Sequence, residues 1–155
     1  MKKISPILLI IGMIVVVGCS VPPPPTTYVE TAEPEWKVIS IRANLDYDKA
    51  WQLLVDHMKK EYDIETLDKG SGHLRSDWIL GTADSPDIDS ADYKVRITVK
   101  FSDDRKKLRV KTDAQYHELY KGNYTGTTYD DYGWTRGGDT KVLDDVSKDL
   151  SDLLG

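Results

Sequence analysis

In "YKVRITVKF", residues 93–101, apolar and polar side chains alternate without a break. Tyr93, Val95, Ile97, Val99 and Phe101 fall on one side, and Lys94, Arg96, Thr98 and Lys100 on the other. A period of two predicts a strand with one buried face. "SDDRKK" supplies a turn, and "LRVKTDAQY" resumes the alternation with Leu108, Val110, Thr112, Ala114 and Tyr116 inward. Upstream, in "WKVISIRANL", Ile39, Ile41, Ala43 and Leu45 oppose Ser40, Arg42 and Asn44, while Trp36 and Val38 fall on the polar side. "YDIETLDKGSGHLRSDWIL" predicts two short strands around Gly70 and Gly72, since glycine readily takes the positive φ that hairpin turns demand.

Two segments change period. Ala50, Trp51, Leu54, Val55, Met58 and Tyr62 recur at three- and four-residue spacing, which places them on one face of a helix. Asp46 or Asp48 can cap its start, and Lys59 and Lys60 suit the negative end of its dipole. In "DTKVLDDVSKDLSDLL" the stripe is Val142, Leu143, Val146, Leu150, Leu153 and Leu154, with Asp139 or Thr140 as the cap. Strand, helix, four strands, helix predicts an α+β domain over residues 36–155: an antiparallel sheet of about five strands with both helices on one face. The outward positions of the long strands are too polar to bury under a second layer.

The N-terminus follows another pattern. Lys2 and Lys3 precede an apolar run from Ile7 to Gly18, in the length class of a signal-peptide core rather than of a membrane span, which needs roughly 20 residues. Residues 1–18 are thus expected to be a leader. Residues 19–35 follow as a spacer whose prolines, Pro22 to Pro25, favour an extended polyproline II segment. Without the leader, 19 basic residues face 26 acidic ones, a charge of −7. That balance argues against nucleic acid as a partner. Cys19 is the only cysteine, so an intramolecular disulfide is excluded.

Val16-Val17-Gly18-Cys19 resembles the lipobox of bacterial lipoproteins. The resemblance implies acylation of the Cys19 sulfur, cleavage before it, and a further acyl chain on its amine. Two or three chains give a lasting anchor where one is marginal. Ser20, where aspartate would favour inner-membrane retention, implies an outer-membrane anchor facing the periplasm. The first strand, "DYDKAWQLL" and "YDIETLDKGSGHL" are in turn similar to the helix-grip domains of the BamC lipoprotein family of the outer-membrane β-barrel assembly machinery. Trp51 and Gly72 match there as fold residues, and the implied role is a binding or scaffold module.

Catalytic signatures are missing from the sequence. His57, His73 and His117 lack the spacing that sets two ligands on one helical face, and there is neither a nucleophile elbow nor a phosphate-binding glycine loop. Asp84, Asp87, Asp89 and Asp92 suggest calcium. A calcium loop starting at Asp87 would however need glycine at its sixth place and glutamate at its twelfth, where Asp92 and Thr98 stand. Adjacent Asp130 and Asp131 do not define a general acid/base pair. The expectation is a non-enzymatic protein without cofactor or metal.

Two surfaces remain as binding candidates. In "YKGNYTGTTYDDYGWTRGGD", Tyr120, Tyr124, Tyr129, Tyr132 and Trp134 could grip an envelope protein or stack on sugars, because aromatics give large contact areas at low entropic cost. Lys94, Arg96, Lys100, Arg109 and Lys111 form a basic sheet face that could meet an acidic partner or anionic lipid. The expected function is membrane-anchored binding of an envelope protein, with binding of an envelope glycan or lipid as the alternative.

Overall fold

A computed structural model describes residues 24–81, 93–119 and 131–155, without side chains at 118, 119 and 131–133. The elements are β1 (Tyr28–Glu30), β2 (Lys37–Ser40), α1 (Tyr47–Glu61), β3 (Ile64–Asp68), β4 (His73–Ser76), β5 (Ile79–Leu80), β6 (Tyr93–Phe101), β7 (Lys107–Leu119), β8 (Asp131–Asp139) and α2 (Thr140–Leu154). The fold is α+β with an antiparallel sheet and two helices, as the alternations imply.

The sheet has eight strands where about five are expected. Its main order is β1-β8-β7-β6-β4-β3, with β2 beside β7 and β5 beside β6. The additional strands have weak sequence signatures for physical reasons. β5 has two residues, and β1 has three that follow a proline run. β8, within the segment read as a loop, is Asp-Tyr-Gly-Trp-Thr-Arg-Gly-Gly-Asp, without a row of aliphatic side chains. A Cβ at Gly137 would come within 2.2 Å of the Val29 carbonyl oxygen and 2.6 Å of the Tyr28 ring, so β1 can approach β8 only over a glycine. The first long strand is also shorter than its alternation implies: β2 ends at Ser40, and Ala43 is exposed rather than inward.

One face of the sheet carries the core. Ile97, Val99, Phe101, Leu108 and Val110 pack with Trp51, Leu54 and Met58 of α1 and with Val146, Leu150 and Leu154 of α2. Asp46 caps α1 by accepting from the Lys49 amide at 2.8 Å, and Asp139 caps α2 through the Val142 amide at 2.9 Å. The hairpin between β3 and β4 turns at Gly72, whose φ is +70°, a conformation that costs glycine nothing. Arg105 clamps that turn, donating to the Ser71 and Gly70 carbonyls at 3.0 and 2.6 Å.

A smaller cluster at the β8 end unites Tyr93, Val95, Ala114 and Tyr116, with Tyr28 laid across it. The Tyr28 and Tyr93 rings meet edge to face at 6.0 Å. Asp139, 1% exposed, accepts from the Tyr93 hydroxyl at 2.6 Å and from the Thr27 hydroxyl at 3.1 Å. Burial, reinforced by the Asp139 hydrogen bond, pushes the Tyr93 phenol far above its ordinary range.

Candidate functional site: the open face of the sheet

The face opposite the helices has no covering layer among the described residues, and its side chains fall into rows fixed by strand register. His73, Lys100, Arg109 and Val38 form one row across β4, β6, β7 and β2. Arg75, Thr98 and Lys111 form the next, which Trp36 continues just before β2. Arg96 faces Asp113, and Lys94, Gln115 and Arg136 form a further row across β6, β7 and β8. Adjacent strands lie about 4.8 Å apart, so neighbours in a row are within side-chain reach.

Three tryptophans frame this basic surface. Lys94 Nζ sits 4.8 Å from the Trp78 ring centre and 4.3 Å from that of Trp134, between the two rings. The Arg96 guanidinium also stacks on Trp78, at 4.6 Å. Beyond them His117 packs against Trp134 with ring centres 5.0 Å apart. At the other end Arg109 and Lys111 lie over Trp36 at 4.8 and 5.3 Å. Each such contact contributes about 0.5–1 kcal/mol at an exposed site. The more important effect is order, because the rings hold flexible cationic side chains against the sheet.

Between the aromatic groups is a shallow depression of about 520 Å³. Trp36, His73, Arg75, Arg96, Lys100 and Lys111 stand around it. Thr98 is short in a row of long side chains, and it is buried on the face its alternation assigns to solvent. A chain of ion contacts crosses the floor. Glu65 Oε2 lies 2.8 Å from Arg75 Nε and 3.9 Å from Arg96, while Asp113 lies 3.6 Å from Arg96 Nε and 2.9 Å from Lys111 Nζ. Those contacts leave Nε of both arginines buried without an aligned acceptor: for Arg75 the carboxylate is close but off the N–H direction. Burial, and then the charges of Arg75 and Lys100, hold the His73 imidazole below its ordinary pKa, with Asp68 opposing them.

The structure brings the five basic residues singled out by the sequence, Lys94, Arg96, Lys100, Arg109 and Lys111, onto this one face. Trp134 joins it from β8, half exposed at 42%. Tyr132 lies on β8, with its side chain outside the description. Tyr120, Tyr124 and Tyr129 lie outside the described residues, as do Cys19, Asp84, Asp87, Asp89, Asp92 and Asp130. Sequence reasoning missed Trp36 and Trp78 as site residues. The signal for Trp36 was its place on the polar side of a strand; Trp78 lies next to the two-residue β5 and had none.

Among the described residues no group of three or more histidine, cysteine or acidic side chains could hold a metal ion, and no helix is long and apolar enough to cross a membrane. No protein-family model matches the chain, and no curated protein matches it. The site must be understood from its own chemistry.

Proposed function

We propose that this protein is a non-enzymatic binding module of the bacterial envelope, held at the outer membrane by acylated Cys19 and facing the periplasm. Its recognition surface is the open face of the sheet. One observation carries this reading: a single face collects three tryptophans and the basic residues of β4, β6, β7 and β8 in a protein of net charge −5, with no layer of described residues over them. A face needed only for solubility requires scattered charge, not cations ordered on aromatic rings around a depression. The partner is an anionic component of the envelope. Lys94, which joins Trp134 to the basic residues, merges the two surfaces considered from the sequence into one.

A protein partner in outer-membrane assembly is a second reading. It is favoured by the strand, α1 and glycine-turned hairpin that resemble a BamC-type helix-grip domain, with Trp51 buried and Gly72 at positive φ.

Photo-cross-linking in intact envelopes tests the surface. Val38, 59% exposed on the open face, and Lys59, exposed on α1, are each replaced by a photoreactive residue in the lipidated chain. Capture through position 38 and not through position 59 is expected. The reverse pattern would move recognition to the helical layer and sink the proposal.

A further inference from the structure

The depression has a composition that narrows its ligand. A planar wall, Trp36, stands beside fixed cations, with Ser71 and Thr98 hydroxyls and the Asp113 carboxylate within the same lining. Arg75, Arg96, Lys100 and Lys111 bring four positive charges, and Glu65 and Asp113 offset two of them. The remainder matches a phosphate monoester, which carries about −1.5 to −2 at neutral pH, better than a single carboxylate. The Nε atoms of Arg75 and Arg96 are buried beside Glu65 and Asp113, so those carboxylates fix the two guanidinium groups and a ligand can meet only their terminal nitrogens. Lys100 has no carboxylate partner among the described residues, and His73 is its neighbour across the strand pair. Hydroxyl donors, acceptors and a flat aromatic wall are what a sugar ring needs, since pyranoses present polar edges and an apolar face.

We infer that this depression is a site for a phosphorylated sugar, with the ring against Trp36 and the phosphate held by Arg96, Lys100 and His73. The assignment rests on the open face being the recognition surface. It adds the ligand class: a phosphate bonded to a saccharide, whether free or as a lipid headgroup. Glu65 and Asp113 hold the arginines in place until the phosphate arrives, so the site is ordered before binding.

Calorimetric titration of the full chain in detergent micelles tests this with glucose 6-phosphate, glucose and inorganic phosphate as probes. Glucose 6-phosphate is expected to bind at least about tenfold more tightly than inorganic phosphate, and glucose not measurably. Trp36→Ala should reduce glucose 6-phosphate to the level of inorganic phosphate. Arg96→Gln and Lys100→Gln should each weaken it by about tenfold or more, the scale of a charge-assisted hydrogen bond. Lys100 is exposed, so K100Q remains a fair test even if the arginine variant unfolds. Vesicles carrying lipid A, compared with its deacylated phosphorylated disaccharide, separate the two sources. Preference for vesicles assigns a headgroup and equal binding a free glycan, either of which supports the inference. Equal affinity for inorganic phosphate, indifference to Trp36→Ala, or no binding of any probe would overturn it. If capture through position 38 persists while the probes fail, only the ligand class falls; if that capture also fails, the surface itself is wrong.

Discussion

Asp139 accepts hydrogen bonds from Tyr93, from Thr27 and from the first turn of α2, and it is buried. Asp139→Ala therefore removes a helix cap and strands the Tyr93 hydroxyl. A loss of about 2–4 kcal/mol in urea unfolding is expected, and Asp139→Asn should recover part of it because asparagine also caps. His73 offers a second test at this scale. Arg75 on its own strand and Lys100 on β6 oppose its protonation, and Asp68 on β3 favours it. Its pKa, followed by NMR, should rise toward 6.5 in Lys100→Gln and fall further in Asp68→Asn. Because its folded value is depressed, the unfolded chain takes the proton more readily, so stability falls as pH drops from above 6.5 toward that value. A bound phosphate should reverse the depression, and His73 then titrates at higher pH with ligand than without it.

At the scale of elements, what was legible followed the side-chain pattern. β6, the long inward row of β7 and both helices were clear because burial on one face writes a period into the chain, while each cap was legible only as a choice of two, Asp46 or Asp48 and Asp139 or Thr140, of which Asp46 and Asp139 cap. β1 and β8 were not, because their pairing rests on glycine and on one tyrosine from a distant segment. The basic face was legible as alternating lysine and arginine, but the tryptophans that order it come from the ends of β2 and β5 and from β8, which only register brings together. Tyr28→Ala removes the ring that covers Tyr93 and Tyr116. We expect a loss of about 2–3 kcal/mol in urea unfolding and early loss of amide protection in β8, read by hydrogen exchange.

Over the whole molecule the surplus charges differ by layer. α2 carries Asp144, Asp145, Asp149 and Asp152 against Lys141 and Lys148, α1 balances Asp48, Asp56 and Glu61 with Lys49, Lys59 and Lys60, and on the opposite sheet face the cations outnumber Glu65 and Asp113. Binding through that face should weaken steeply between low salt and about 0.15 M, where the screening length is about 8 Å. Titration at several ionic strengths checks this, and a flat response would place the contact energy in the aromatic rings instead.

Thr27 is fastened to the start of α2: its carbonyl accepts from the Thr140 amide at 2.9 Å and its hydroxyl reaches Asp139. Tension arriving from the residues before it is met first by this knot and by the three residue pairs of β1 with β8, and only afterwards by the core under α1. The N-terminal edge is thus expected to act as a mechanical fuse: a pull on the chain before Thr27 should peel the short β1 before it loads the core, and the strand can reseat over Gly137 when the force is released.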